Sequence, residues 1–332
     1  MPSDQIIDSL FRALDDSANL YEKESGFDYL EGLCLAAEFI VEQKVQDEKL
    51  KERLLALSAP FYTEKLSSED IRRAFRLAVL KGMKDRTQAN HQMTPDTVAI
   101  FMAYLVGKLP LPAAYACLDL TVGAGNLLTA LINHTDKLPH AFGIDVDETL
   151  IRLAAASINL QQLDVALFHQ DSLRPLLCPP VDLVIGDLPV GTYPDKENAR
   201  RFRLGQTQAS PFSHYLLIEQ GLNYLKPSGF SLNIVPSDIF ITDHNRLLNQ
   251  LIKDTANIWA VLDLPTAIFK DPNQKKCLLL LQKKGEGARI PKQILLASLP
   301  SFSNRDMMGD MIRKINRWFM DNIPASVKGA SR

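Results

Sequence analysis

The sequence is poor in the features that build disulfide scaffolds or metal centres. Only four cysteines occur in 332 residues, Cys34, Cys117, Cys178 and Cys277. None forms a CxxC pair or has a histidine at ligand spacing, so neither a metal site nor a disulfide framework is expected. Long apolar runs are also missing. Stretches such as 278–281 fall far short of the ~20 residues of a membrane helix, so no membrane association is expected. The start, MPSDQIIDSLFRALDDS, lacks the basic opening and apolar stretch of a signal peptide, which predicts a cytoplasmic address. Net positive charge is absent as well: 37 basic against 39 acidic residues leave -2, unlike a protein that grips nucleic acid by bulk electrostatics. What remains is an ordinary globular composition, 46% hydrophobic and 23% charged with 16 Gly and 19 Pro. That excludes a collagen, a coiled coil and a mostly disordered chain.

The charge is unevenly spread. Residues 1–90 hold 13 basic and 17 acidic side chains, 91–269 hold 11 and 17, and 270–332 hold 13 and 5. The tail is therefore basic, either as a solvated helix face or as a binding surface. The first 85 or so residues have helical spacing. Ser3 precedes Ile6, Ile7, Leu10, Phe11 and Leu14 on one face, and Ser67 with Asp70 forms a capping pair before Ile71, Phe75, Ala78 and Val79. Segments near 28–43 and 47–57 are similar. Gly82 is expected to end the last helix, and the polar stretch 81–92 to mark a boundary.

Beyond residue 95, strand-like runs at 115–120, 140–145, 165–170, 181–187, 229–235, 257–263 and 275–282 alternate with helical patterns. These predict a doubly wound α/β sheet of seven strands. The link 264–274 contains two prolines and is too short for a parallel crossover, so the seventh strand is expected to run antiparallel. The organisation predicted is a helical N-terminal domain (1–88), an α/β domain (89–302) and a basic C-terminal helix with tail (303–332).

The first strand runs into AspLeuThrValGlyAlaGlyAsn, Asp119 to Asn126, and then a helix. Glycines at such a turn either cradle a ligand against bare backbone and free helix N–H groups, or simply allow tight packing. The third glycine of the dinucleotide fingerprint is missing, because Leu128 stands there, and this counts against NAD. Asp145 ends the second strand twenty residues after Gly125. It is either a ribose-binding carboxylate or, with Asp147, a helix cap. Asp171 ends the third strand. Three acidic residues at consecutive strand ends beside a glycine turn describe a nucleoside pocket without a pyrophosphate.

Here the sequence resembles the class I S-adenosylmethionine-dependent methyltransferases over roughly residues 90–285. The resemblance implies S-adenosyl-L-methionine as cofactor and a Rossmann-like seven-stranded sheet with reversed last strand. Asp119, Thr121, Gly123, Gly125 and Asn126 would hold the methionine portion, Asp145 with Val146 the ribose, and Asp171 with Ser172 the adenine. The fourth strand ends in Asp187-Leu188-Pro189-Val190, which is similar to the (Asn/Asp)-Pro-Pro-(Tyr/Phe) motif of adenine-N6 methyltransferases. An exocyclic amine is a poor nucleophile, so its hydrogens must be accepted by a side-chain oxygen and a carbonyl that steer the lone pair. Asp187 and the Leu188 carbonyl would fill these roles, and Asp187 would also border the cofactor. Leu188 and Val190 depart from the motif. Tyr193 either replaces the aromatic that stacks on the target base or packs in the turn. Met93-Thr94-Pro95 and the helix after Phe212 resemble cofactor-lining segments of type I restriction-modification methylation subunits, assigning Thr94, Pro95 and Phe212 to the cofactor.

The closest resemblance is to the stand-alone YtxK-like, adenine-specific DNA methylase-like group. Arg200, Arg201 and Arg203 either grip nucleic-acid phosphate or sit as surface charges. About 45 residues follow the last predicted strand, few for a target-reading domain, so DNA binding is expected to be weak without a protein partner. The expected function is N-methylation of adenine N6 in DNA. Two alternatives stay open: a non-catalytic cofactor-binding module, and a methyltransferase acting on a protein or small-molecule amine.

Overall fold

The computed structural model describes residues 3–45, 47–84, 93–136, 139–206, 211–243, 246–269 and 275–323. In chain order the elements are α1 (Ser3–Ser25), α2 (Tyr29–Glu42), α3 (Glu48–Leu57), α4 (Pro60–Thr63), α5 (Ser68–Met83), α6 (Asp96–Val106), β1 (Ala116–Asp119), α7 (Asn126–Asn133), β2 (His140–Asp145), α8 (Glu148–Leu160) and β3 (Val165–His169). There follow β4 (Val181–Asp187), α9 (Lys196–Ala199), α10 (Ser213–Tyr224), β5 (Leu225–Pro236), α11 (Leu247–Thr255), β6 (Ala256–Asp263), β7 (Lys276–Lys283), β8 (Leu295–Ser298) and α12 (Arg305–Asn322). No helix among the described residues is long and apolar enough to cross a membrane.

The sheet order is β3-β2-β1-β4-β5-β7-β6-β8. β7 runs antiparallel to both β5 and β6, as the short link before it requires. The count differs from the seven strands expected. β8 adds an eighth, pairing parallel with β6 from Ala260↔Leu295 to Asp263↔Ser298. It has only four residues, alternating half-buried and exposed, and the apolar run Ile294 to Ala297 that covers it is too short to separate strand from helix by periodicity.

The chain forms two compact units: Met1–Ile100, Val122–His134 and Gly143–His169 in one, Phe101–Thr121, Thr135–Phe142 and Gln170–Arg332 in the other. In the first, Leu10, Leu14, Leu33, Phe75 and Ala78 of the helices share a core with Leu153 and Leu160 of α8. α5 starts with a complete capping box between Ser67 and Asp70. Its end corrects the expectation for Gly82, which lies inside the helix. A Cβ there would stand 2.4 Å from Leu30 Cδ2 and 2.6 Å from Tyr29 Cδ1, so this glycine serves close approach of α2. The boundary expected at 81–92 falls largely on 85–92, outside the described residues. In the second unit, buried Trp259 of β6 packs edge-on against Phe230 of β5 and Trp318 of α12. α12 buries Met308, Ile315 and Phe319 and turns Arg313, Lys314 and Arg317 to solvent.

Candidate active site

In the first unit the glycine turn is braced by its own polar groups. Gly123 and Gly125 have φ of 52° and 83°, left-handed values that tolerate glycine best. The Gly123 N–H donates to Asp145 Oδ2 at 2.8 Å, and the Asp147 N–H donates to Asp145 Oδ1 at 2.9 Å. Burial pushes the Asp145 carboxyl up from its ordinary range, against the pull of these N–H donors. Asp147 caps α8 through the Leu150 N–H. A Cβ on Gly123 would meet nothing within 4 Å; the turn presents bare backbone to open space.

Asn126 does not face that space. Its Nδ2 donates to the Thr94 carbonyl at 2.9 Å, and its Oδ1 accepts from Arg72 Nη1 at 2.7 Å. Both ends of the amide are thus used inside the unit. Pro95 is half-buried ahead of α6 and accepts the Val98 and Ala99 N–H groups on its carbonyl. Val146 is exposed, with its carbonyl 3.0 Å from His169 Nε2.

In the second unit Asp119 is fully buried at the end of β1 and accepts from the Thr121 N–H at 3.0 Å. The Thr121 hydroxyl donates to the Asp187 carbonyl at 3.3 Å, and the Ser172 hydroxyl to the Leu120 carbonyl at 2.5 Å. Asp171 accepts from the Leu173 N–H at 2.9 Å and from the Tyr193 hydroxyl at 2.5 Å. Asn198 Nδ2 donates back to the Tyr193 oxygen at 3.0 Å. Burial, then the carboxylate of Asp171, push the Tyr193 phenol up to about 12. The Tyr193 ring is thus buried and its hydroxyl anchored.

Asp187 ends β4. Its Oδ1 receives Lys276 Nζ at 2.7 Å, both side chains being mostly buried. Lys276 opens β7, and strand register sets it opposite Pro236 of β5. No local motif marks this lysine; only the antiparallel pairing of β7 brings it to Asp187, and sequence reasoning missed it. Leu188 is buried and donates its N–H to the Ile234 carbonyl at 3.1 Å. Pro189 is half-buried and Val190 is 48% exposed. The loop is then pinned to the start of α10: the Ser213 N–H donates to the Gly191 carbonyl and the Tyr193 N–H to the Pro211 carbonyl, both at 2.8 Å. A bridge joins Thr192 to Phe212. Phe212 is 37% exposed and lies 5.4 Å, ring to ring, from His214. His214 is buried with Nδ1 unpartnered among the described residues, and burial drives its imidazole down to about 4.

In the arginine cluster Arg203 Nη1 pairs with Asp254 at 2.6 Å, while Arg200 is exposed and Arg201 reaches Asn198 Oδ1 at 3.4 Å. Asp195 pairs with Arg174 instead of with this cluster.

Residues 8–83 match the family model for the YtxK N-terminal helical domain, and residues 83–322 match that for N-6 DNA methylases. The chain belongs to the N-6 DNA methylase family. It is 41% identical over 94% of its length, and 97% of the relative's, to the uncharacterized protein YtxK of Bacillus subtilis. A solved Listeria monocytogenes structure assigned to the class I S-adenosylmethionine-dependent methyltransferases is 37% identical, with a TM-score of 0.87 over 95% of this chain and 99% of that one. The methyltransferase subunit of the type I restriction-modification system of Streptococcus thermophilus shares the fold at 15% identity, with a TM-score of 0.62 over 94% of this chain and 74% of the subunit. The family and the strand order agree: this member of the N-6 DNA methylase family has the class I methyltransferase sheet, reversed strand included.

Proposed function

We propose that the protein transfers a methyl group from S-adenosyl-L-methionine to an exocyclic amine, with N6 of adenine in DNA as the acceptor. The observation that carries this reading is Asp187 at the end of β4, followed by a proline-containing turn and held by Lys276. The residues fit the cofactor. A Cβ on Gly123 would meet no atom of the described residues within 4 Å, and Asp145 lies under the same turn. In this reading Asp119, Thr121, Gly123 and Gly125 hold the methionine portion, Asp145 and Val146 the ribose, and Asp171 and Ser172 the adenine. Thr94, Pro95 and Phe212 line the site. The cofactor, when bound, supplies a methyl group already activated on a sulfonium, so the protein's task is alignment and exclusion of water.

Asp187 and the Leu188 carbonyl accept the hydrogens of the acceptor amine and steer its lone pair. Lys276 fixes the Asp187 carboxylate so that its orientation is set before the acceptor arrives. Exposed Val190 offers the acceptor an apolar but non-aromatic surface. Arg200 and Arg201 are available to nucleic-acid phosphate, whereas Arg203 would first have to leave Asp254. A net charge of -2 supports weak DNA binding by this chain alone, with target recognition supplied by a partner protein. Residues 1–88 act as the helical domain, 89–302 as the methyltransferase domain and 303–332 as a basic helix and tail, and the protein works in the cytoplasm.

The test incubates pure protein with methyl-labelled cofactor and genomic DNA, RNA or cell protein. Label recovered from DNA as N6-methyladenine is the expected result. Label confined to protein or a small molecule overturns the acceptor, and calorimetric cofactor binding without any label favours a non-catalytic module.

A further inference from the structure

Arg72 of α5 is 1% exposed. A buried guanidinium is costly unless every donor is matched, and this one is matched across three segments of the first unit. Its Nε and Nη2 fork onto Glu69 at 2.7 and 2.6 Å, and Nη1 reaches both Asp96 Oδ1 and Asn126 Oδ1 at 2.7 Å. Asp96 opens α6. Asn126 opens α7 directly after the glycine turn, and it hands the contact on to the Thr94 carbonyl. Glu69 meanwhile reaches the other end of α7, lying 3.2 Å from His134 Nε2 and 3.4 Å from Asn133 Nδ2. One i,i+3 pair on α5 therefore grips α7 at both ends.

We infer that Arg72 is a positioning residue for the cofactor turn, and that the helical N-terminal region is a working part of the methyltransferase site rather than an appended module. The argument is geometric. α7 is only eight residues long, so fixing its first side chain and its last turn fixes the helix, and with it the backbone N–H groups of Gly123 and Gly125 that precede it. Gly125 already packs against Ala154 of α8, where a Cβ would come within 3.4 Å, so the turn is held on one side by α8 and on the other by the Arg72 fork. This assignment rests on the reading of the turn as the cofactor cradle. It also gives the bond from the Asn126 amide to the Thr94 carbonyl a role.

The experiment compares Arg72→Met, Arg72→Lys and Asn126→Ala with the full-length protein. Asn126→Ala removes the Arg72 contact at the start of α7 together with the bond to the Thr94 carbonyl and keeps both ion pairs, so it remains informative where Arg72→Met fails to fold. Two readouts are taken: amide hydrogen exchange at residues 123–127 without ligand, and S-adenosylmethionine affinity by calorimetry. Expected are at least tenfold faster exchange at the turn and at least tenfold weaker binding in Arg72→Met and Asn126→Ala, with exchange in α1 and α2 unchanged in Asn126→Ala. Arg72→Lys, which keeps the charge but not the fork, should fall between. Turn exchange and affinity within twofold of the parent in a folded Asn126→Ala protein would overturn the inference. If the turn loosens as expected while the parent binds no S-adenosylmethionine, the bracing stands and the functional reading fails.

Discussion

The glycine turn and the loop after β4 are built on opposite principles. At the turn the polar groups are spent on one another: Asp145 holds Gly123, Asn126 holds Thr94, and buried Arg72 holds Asn126. The loop after β4 is pinned at its base by Leu188 and beyond its tip by Tyr193, yet Val190 between them is exposed. In the proposed reading the first region is a cradle whose shape is finished before a ligand arrives, whereas the second keeps one fixed carboxylate beside an exposed surface, a division suited to a shared small cofactor and a variable acceptor.

The sharpest way to break the contrast is at Asp187. Asp187→Ala should lower methyl transfer by about 10²–10⁴-fold, the usual range for losing a proton-accepting group, while cofactor affinity measured calorimetrically changes less than threefold. Equal losses in both would erase the distinction between the regions. Arg72→Met should then destabilise the protein by about 3–5 kcal/mol in urea unfolding, because Glu69, Asp96 and Asn126 lose their common donor.

His214, behind the acceptor loop, sharpens the comparison through pH. Its folded-state pKa of about 4 lies below the ordinary 6.5, so the folded chain keeps the imidazole neutral. Its contribution is complete above pH 6.5 and declines as pH falls from 6.5 toward 4, by on the order of 3 kcal/mol in all. Unfolding of His214→Asn across that range should show a correspondingly flatter acid limb. The smallest effect is expected at the turn itself. Gly123→Ala should cost about 1 kcal/mol of stability for the left-handed backbone, since no atom lies near the new Cβ, yet weaken cofactor binding severalfold. Unchanged binding would mean that the open space is not where the cofactor lies.

Much of this was legible in the sequence. The reversed β7 followed from a link too short for a crossover, and the α5 capping box from Ser67 and Asp70. Motif order alone located the glycine turn and Asp187. What was not legible depended on pairing at a distance. Lys276 meets Asp187 only through strand register, and Arg72 meets Asn126 across 54 residues of sequence. β8 escaped because a four-residue edge strand carries no periodic signal. The partners of Tyr193 and Arg203 were hidden for a related reason: Asp171 and Asp254 lie 22 and 51 residues away in sequence.

The most direct measurement of the central claim is a backbone amide titration by nuclear magnetic resonance, adding S-adenosylmethionine and then an adenine-containing oligonucleotide. The account predicts that Gly123, Gly125 and Asp145 respond to the cofactor, and that Leu188 and Val190 respond further only when the acceptor is added. Saturating cofactor that leaves the amides of Gly123, Gly125 and Asp145 unmoved would contradict it.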